Sequence, residues 1–287
     1  MKLLTTSGWP EYHLLDSGDG YRLEQFGTYR LARPDPQIIW KRSLPPSAWD
    51  SADATFEKDG ARDAGWKKKA TMPSQWEMGY KDLRFFARLS PFKHTGVFPE
   101  QHLQWDFIQE KIRTATTQPK ILNLFAYTGL ASLIAAQAGA QVTHVDASRP
   151  TIGWARENQE LSGLSDKPIR WILDDVGKFV EREVRRGSVY DGIILDPPIY
   201  GHGPTGQTWK FNEDVPPLLA ACRKLLSPTP LFVVMNAYAI SSSALMLQNI
   251  FEDYFADLHG KIQVGELVIE EQSAKRLLST GIYARWE

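Results

Sequence analysis

From residue 119 onward, short apolar runs alternate with segments of helical periodicity. Five runs predict buried strands: KILNLF, QVTHVDAS, IRWILDD, YDGIILDPP and TPLFVVMNAY. Four segments between them predict helices: GLASLIAAQAG, PTIGWARENQELSG, VGKFVEREVRRG and VPPLLAACRKLL. Strands joined through helices form right-handed βαβ units, so the pattern predicts an α/β fold with a doubly wound parallel sheet. The last runs, GKIQVGELVIEEQ and RLLSTGIYARWE, have no helix between them and predict an antiparallel pair at one edge.

Residues 1–90 contain short strand-like runs without the helical segments seen later in the chain. This pattern predicts a small β-rich domain, followed by a larger domain over residues 91–287. In YHLLDSGDGYRLEQF, two strand-like pieces flank the turn residues SGDG, which is typical of a hairpin. Five of the ten tryptophans lie in this first part: Trp9, Trp40, Trp49, Trp66 and Trp76. They either pack in an aromatic core or stack on nucleic-acid bases, and packing is the more common role.

Composition places the chain among globular proteins of the cytoplasm. Of 287 residues, 43% are hydrophobic and 23% are charged. No apolar stretch reaches the roughly 20 residues that span a bilayer, and the opening MKLLTTSGWPEYH turns polar before a signal peptide could form. The single cysteine, Cys222, excludes an internal disulfide and agrees with a reducing compartment.

The net charge of −1 gives no overall attraction to nucleic acid, so any such contact needs a local patch. Residues 58–93 offer such a patch, because this segment contains nine basic side chains and only four acidic ones. Aromatic residues lie between them in the sequence. This segment is either an RNA-binding face or an ordinary solvated surface.

Polar groups follow each of the first four predicted strands of the parallel sheet. The carboxyl ends of such strands lie at one edge, where α/β proteins bind ligands. Single aspartates at these positions are also typical helix N-caps, but four successive strand ends with polar groups favour a site. The segments at these ends are Asn123–Gly129, Asp146–Ser148, Asp174–Val176 and Asp196–Tyr200.

The first of these segments indicates a ligand with a ribose but no pyrophosphate. A dinucleotide site needs three glycines in GxGxxG, and this loop has only Gly129. Asp146, at the end of the second strand, suits the two hydroxyls of a ribose. S-adenosylmethionine fits this description.

The segments FAYTG, VDAS, DD and DPPIY resemble motifs one to four of the class I S-adenosylmethionine-dependent methyltransferases. The preceding SPFKHTGVFPEQ is similar to the lead-in segment of the large-subunit ribosomal RNA methyltransferase group. The resemblance implies a seven-stranded Rossmann-like sheet whose last strand is antiparallel. It implies that the cofactor is S-adenosyl-L-methionine, held by Thr95, Phe98, Asn123, Phe125, Ala126, Tyr127, Gly129, Asp146, Ala147, Ser148, Asp174, Asp175, Val176 and Asp196.

Within this set, the resemblance implies that the methionine end is surrounded by Asn123, Phe125, Tyr127 and Gly129, and that Asp146 binds the ribose. Asp175 and Val176 meet the adenine by the same analogy. Thr95 and Phe98 close over the cofactor.

The motif DPPIY implies the catalytic residues Asp196, Pro197, Pro198 and Tyr200. In related motifs the first side chain and the carbonyl of the next proline accept amino protons, and the aromatic ring stacks on a base. Proline's fixed φ holds that carbonyl rigidly. The segment GHGPTGQ that follows predicts a loop over the acceptor, with Trp209 or Phe211 as base contacts.

Relatives that methylate carbon 5 of cytosine need a cysteine after the fifth strand, because a thiolate must first add to the ring. This chain has MNAY there, and Cys222 lies at an apolar helical position typical of a packed thiol. We therefore predict methyl transfer to a nucleobase nitrogen without a covalent intermediate. His94 and His102 lack the spacing of a metal site, so no metal is expected.

The sequence thus predicts a methyltransferase acting on ribosomal RNA, which residues 58–93 and the 201–211 loop contact, with no membrane association. Residues 1–90 would recognise the substrate. The alternatives are a protein or small aromatic substrate, or a cofactor-binding RNA assembly factor. The DPPIY motif disfavours the last, since a pure binding protein has no need of it.

Overall fold

The computed structural model describes residues 1–57, 65–203, 206–238 and 242–287. Parts of the two segments predicted to contact RNA, namely 58–64 and 204–205, lie outside the described residues. The chain forms two compact units. The first unit contains Met1–Leu4, Gln101–Leu267 and Ser279–Glu287, and the second contains Thr5–Glu100 and Val268–Leu278.

The helices and strands are numbered in chain order. The strands are β1 Lys2–Thr6, β2 Tyr12–Gly18, β3 Tyr21–Phe26, β4 Tyr29–Pro34, β5 Ala54–Glu57, β6 Gly65–Lys68, β7 Gln75–Tyr80, β8 Leu83–Arg88, β9 Lys120–Leu124, β10 Gln141–Asp146, β11 Ile169–Leu173, β12 Gly192–Leu195, β13 Tyr200–His202, β14 Thr208–Lys210, β15 Phe232–Ala237, β16 Ile262–Glu270 and β17 Leu277–Trp286. The helices are α1 Pro46–Asp50, α2 His102–Arg113, α3 Leu130–Gln137, α4 Arg149–Leu161, α5 Val176–Arg186, α6 Phe211–Leu225 and α7 Ala244–Phe255. Among the described residues, none of these helices is long and apolar enough to cross a bilayer.

The large sheet has the strand order β1-β16-β17-β15-β12-β9-β10-β11. The pairs from β15 to β11 are parallel, and β17 is antiparallel to β15. The predicted doubly wound, seven-stranded methyltransferase-like sheet is therefore confirmed. The sequence did not predict the eighth strand, β1, which lies at the edge beside β16. Gly265 of β16 makes room for it, because a Cβ there would collide with the backbone of Lys2.

Apolar side chains cover both faces of this sheet, which explains why its strands are almost continuously hydrophobic. Ile193 and Leu195 of β12 join one core cluster, with buried residues of α5, α6 and α7. Ile194, between them, joins a second cluster with α2 and α3. The helices thus cover both faces of the sheet.

The second unit contains the sheet β2-β3-β4-β5-β6 and the hairpin β7-β8. The predicted turn between β2 and β3 is confirmed, with Asp19 and Gly20 at φ of 50° and 81°. Trp9, Trp49 and Trp76 are at most 8% exposed, so their predicted packing role is also confirmed.

A buried ionic cluster lies inside the second unit. Arg33 donates twice to Glu24, each time at 2.7 Å, and Arg22 lies 3.3 Å from Asp35. Burial alone raises the pKa of Glu24, but the two arginines outweigh it and lower the pKa to about 2.

Segment 268–278, from near the end of the chain, belongs to this same unit. The Ser273 hydroxyl donates to Asp16 at 2.7 Å, and Ser17 donates to Glu271. A boundary placed at residue 90 does not include this segment, since hydrophobic patterning reveals neighbours along the chain and not partners in space.

Candidate active site

Backbone hydrogen bonds join the four strand ends into one continuous edge. Ala126 N donates to Val145 O at 3.1 Å, and Asp174 N donates to Asp146 O at 3.1 Å. On the other side of β9, Asp196 N lies 3.4 Å from Leu124 O. The segments that the sequence singled out therefore lie side by side.

The loop after β9 has an unusual backbone. Phe125 and Tyr127 adopt φ of 55° and 49°, which side-chain-bearing residues rarely adopt, and Gly129 follows at 87°. A Cβ at Gly129 would lie only 2.9 Å from Ala155 Cβ on α4, so glycine lets the loop approach that helix closely. Such strain is costly and concentrates at functional sites.

Asp146 ties this loop to the next one. Its Oδ2 accepts from Tyr127 N at 2.9 Å, and its Oδ1 accepts from Ser148 N at 2.8 Å. Thr151 donates to the same Oδ1 at 3.0 Å. Burial raises the pKa of Asp146 above its ordinary value, while these hydrogen bonds oppose the shift. The helix N-cap at this point is Ser148 and not the aspartate.

At the third strand end, Asp175 is an N-cap, as the alternative interpretation suggested. Its Oδ1 accepts from Lys178 N at 2.9 Å at the start of α5. Asp174 accepts from Asp175 N at 2.8 Å and forms an ion pair with Arg182. The second oxygen of Asp175 lies near Gly203, where a Cβ would be 2.9 Å from it.

Three further residues were predicted to hold the cofactor, and the first of them, Asn123, has a buried side chain. Asn123 is 2% exposed and donates to Ser132 Oγ at 2.9 Å, within a buried chain that continues to His144. Its side chain thus stabilises the packing beneath the loop. Thr95 and Phe98 belong to the second unit, and their role at a cofactor stays a prediction.

Asp196 is a second carboxylate of the edge whose pKa is raised by burial. Gln101 Nε2 donates to its Oδ2 at 2.7 Å, and burial raises its pKa to about 6 in spite of that bond. Sequence reasoning missed the role of Gln101, which ends the lead-in segment 95 positions before Asp196. The one feature of the sequence that could have pointed to Gln101 was its position at the end of the lead-in segment.

The rest of the DPPIY segment leads from the sheet to the surface. Pro197 is buried, whereas Tyr200 is 57% exposed at the start of β13. The indole of Trp209, on β14, donates to Pro198 O at 2.7 Å. The expectation that Phe211 contacts a base is wrong, because this ring is 4% exposed and packs in the core at the start of α6.

Cys222 lies fully buried on α6, and burial raises the pKa of its thiol to about 12. The chain has no other cysteine, so it has no thiolate nucleophile for this edge. Within the described ranges, no three metal-ligating side chains come together.

The sequence model of the S-adenosylmethionine-dependent methyltransferases matches residues 32–259. The chain belongs to this family. A solved relative of this methyltransferase, the SAM-dependent methyltransferase from Agrobacterium tumefaciens, is 43% identical. Its structure superimposes with a TM-score of 0.96, over 100% of this chain and 93% of that one. A Streptococcus mutans structure, 18% identical with a TM-score of 0.74 over 98% of this chain and 76% of that one, shows the shared fold.

Curated relatives of the methyltransferase match about half of its chain. The ribosomal RNA large subunit methyltransferase K/L of Shewanella baltica is 34% identical over 155 residues, which are 53% of this chain and 21% of that protein. The ribosomal RNA large subunit methyltransferase I of Aeromonas salmonicida is 33% identical over 160 residues, 52% of this chain and 36% of that protein. The match therefore covers 21% to 36% of the length of these curated relatives.

Membership of the family establishes S-adenosylmethionine as the cofactor and methyl transfer as the chemistry. The edge fits such a cofactor. It offers a strained loop with one close-packed glycine, a carboxylate fixed between two loops, and a second carboxylate oxygen at the third strand end.

Proposed function

We propose that this methyltransferase methylates a ring or exocyclic nitrogen of a nucleobase in ribosomal RNA, without a covalent enzyme–base intermediate. One observation carries the proposal. The buried carboxylate of Asp196 lies beside the loop that follows β9, which we assign to the cofactor. Two prolines follow Asp196 directly in the sequence, and the exposed Tyr200 comes shortly after them.

For the cofactor, we assign the methionine end to the segment from Phe125 to Gly129, with Ala126 and Tyr127 between them. Asp146, Ala147 and Ser148 would hold the ribose, and Asp174, Asp175 and Val176 the adenine. When bound, S-adenosylmethionine supplies an electrophilic methyl group on a sulfonium centre. The protein's task is then to present a nucleophile in line with that methyl group and to remove a proton.

Asp196 suits the removal of that proton. Gln101 holds one oxygen, which leaves Oδ1 to accept an N–H of the base as its nitrogen attacks. A base whose pKa is about 6 is ionised at neutral pH and still able to take up a proton. The Pro197 carbonyl would accept a second amino proton, and Tyr200 would stack on the base.

The acceptor class is supported from two sides. Carbon-5 methylation through a thiolate lacks its nucleophile, because Cys222 is buried and protonated. The curated relatives are named as methyltransferases of large-subunit ribosomal RNA. The further expectation that residues 58–93 and the 201–211 loop contact the RNA remains part of this proposal.

The decisive experiment is methyl transfer from isotopically labelled S-adenosylmethionine to ribosomal RNA from cells that lack the gene, followed by mass spectrometry of the nucleosides. We expect an N-methylated base. Asp196→Ala should lower turnover by about 10²-fold or more, since positioned acid–base groups contribute that much. The same variant should weaken cofactor binding, measured by calorimetry, far less than it lowers turnover, because Asp146 and the segment from Phe125 to Gly129 still hold the cofactor.

The control is Asp166→Ala, an exposed aspartate of the same unit, which should behave as wild type. A C5-methylated pyrimidine as product, or full turnover by Asp196→Ala, would contradict the proposal. Label that appears only in protein or in small molecules would favour the alternative substrates. Tight cofactor binding with no transfer to any acceptor would favour an assembly factor.

A further inference from the structure

Trp209 contacts two of the strand-end segments, the loop after β9 and the segment Asp196–Tyr200. Its ring centroid lies 4.8 Å from that of Phe125, edge to face, in the strained loop assigned to the methionine end. Its Nε1 donates to the carbonyl of Pro198 at 2.7 Å, in the segment assigned to the acceptor. One indole therefore joins the two segments between which the methyl group must pass.

The hairpin of β13 and β14 fixes the position of this indole. Trp209 pairs with Gly201 across the hairpin, and Phe211 N donates to Ile199 O at 2.9 Å where the hairpin returns to α6. Near the tip, Gly203 approaches the free oxygen of Asp175 so closely that a Cβ would lie 2.9 Å from it. The hairpin thus passes along three of the four strand ends.

The hydrogen bond from Trp209 to Pro198 O anchors a part of the backbone that has few donors of its own. Pro197 and Pro198 have no N–H, so this dipeptide cannot be anchored through backbone donors of its own. Its carbonyls are the backbone groups left to anchor it, and the Trp209 indole occupies one of them. Loss of that donor would leave the carbonyl of Pro197, one residue earlier, less firmly oriented.

We propose that Trp209 is a positioning residue that couples cofactor binding to the acceptor segment. Its ring packs on Phe125 and responds to occupation of the loop, and its N–H orients the backbone of the acceptor segment. The inference rests on the proposed function for the identity of the two half-sites. It extends that proposal by making the acceptor segment depend on the cofactor.

Hydrogen exchange with S-adenosylhomocysteine as the probe tests this coupling. In wild type, the ligand should slow exchange of the amides in residues 124–130 and also in residues 199–203. Trp209→Phe keeps a ring but loses the donor. In this variant the protection of residues 124–130 should persist, while protection of residues 199–203 should fall at least about fivefold, the scale of one hydrogen bond.

Trp209→Ala removes both contacts and should also weaken cofactor affinity, about fivefold or more. The control is Trp40→Phe in the second unit, whose half-buried indole likewise donates a hydrogen bond, to Ser17 Oγ at 3.0 Å. It should match wild type in all readouts. Thermal melting of each variant separates loss of coupling from loss of folding.

The coupling is wrong if the ligand protects only residues 124–130 in wild type, or if Trp209→Phe protects residues 199–203 as well as wild type does. Because this assay contains no RNA, a failure of ribosomal RNA to accept methyl groups would overturn the proposed function and leave the coupling result intact. With an acceptor in hand, Trp209→Phe should lower kcat and leave the KM for the cofactor unchanged.

Discussion

Asp196 can act as a proton acceptor only in its ionised form, and its surroundings disfavour that form. Burial raises its pKa to about 6, and Gln101 is the donor that opposes the shift. The two residues therefore form a hydrogen-bonded pair, in which the amide favours the ionised carboxylate and holds one of its oxygens.

The rate of methyl transfer should follow this ionisation. We expect kcat/KM to fall about tenfold per pH unit below about 6 and to level off above it, because protonated Asp196 cannot accept a proton. Gln101→Leu removes the donor, so the midpoint should move upward, by less than about one pH unit, since one hydrogen bond contributes about 1 kcal/mol.

Initial rates from pH 4.5 to 8.5, a range of about four units around the midpoint, measure both effects. Gln118→Ala is the control, since this exposed glutamine donates to Gly139 O at 3.0 Å within the same unit. A midpoint that Gln101→Leu leaves in place would mean that Gln101 only supports the fold.

The sequence could predict Asp196 because two prolines after a buried strand are distinctive. It could not predict Gln101, since no pattern along the chain reports a contact across 95 positions. For Asp175, both interpretations of the sequence were physically sound, and one oxygen caps α5 while the other stays near Gly203. For Asn123, the strand position was recognised, but burial of the side chain depends on Ser132 of α3.

Among the secondary-structure elements, α6 decides whether a covalent cysteine route is open to this methyltransferase, because it carries the single cysteine. It carries Cys222 on the side that faces the core, together with Leu219 and Leu225. Their packing against α5 and α7 keeps the thiol dry and raises its pKa to about 12. The thiol is therefore a packing group.

Cys222→Ala should keep the wild-type rate of methyl transfer and lose about 1 kcal/mol of stability, the scale of one buried methylene-sized group. Chemical denaturation measures the stability, and the labelled-methyl assay measures the rate. Leu219→Ala is a matched control at a neighbouring core position and should destabilise more, by about 2–5 kcal/mol. If the Cys222→Ala protein folds but loses turnover, the thiol takes part in catalysis and the non-covalent mechanism is wrong.

The element boundaries show where sequence patterns reach their limit. The sequence pattern placed the start of α6 at Val215, yet the helix begins at Phe211. Glu213 and Asp214 stabilise that earlier start, and Asp214 accepts from Lys210 N at 2.6 Å. The hairpin of β13 and β14 was predicted as a loop, because its glycines obscure any alternation of apolar and polar residues.

At the scale of the whole molecule, the net charge of −1 means that the proposed RNA binding depends on local groups. In the described part of the 58–93 segment, the three consecutive lysines have partners of their own. Lys67 pairs with Glu57, Lys69 lies 3.5 Å from Asp53, and Lys68 donates to Met72 O. Exposed pairs of this kind contribute little, so phosphates can replace the carboxylates.

Replacing Lys67, Lys68 and Lys69 with alanine should weaken RNA binding and make it less sensitive to salt. The slope of log K against log salt should fall by at most about 2, since each contact with single-stranded phosphate contributes about 0.7. Fluorescence anisotropy from 50 to 300 mM salt, on the order of the usual test range, measures it. The double variant Lys41→Ala and Lys275→Ala, with two ion-paired lysines of the same unit, is the control and should leave the slope unchanged.

Segment 268–278 also determines when the second unit can complete its contacts during synthesis. A ribosome releases Asp16 long before its partner Ser273, which lies 257 positions later. In the interval, Asp16 can use donors nearby in the chain, such as Leu44 N at 2.9 Å and Trp49 Nε1 at 2.9 Å. The second unit thus reaches its native state only after residues 268–278 have been synthesised, so its early strands are completed by a segment that is made much later.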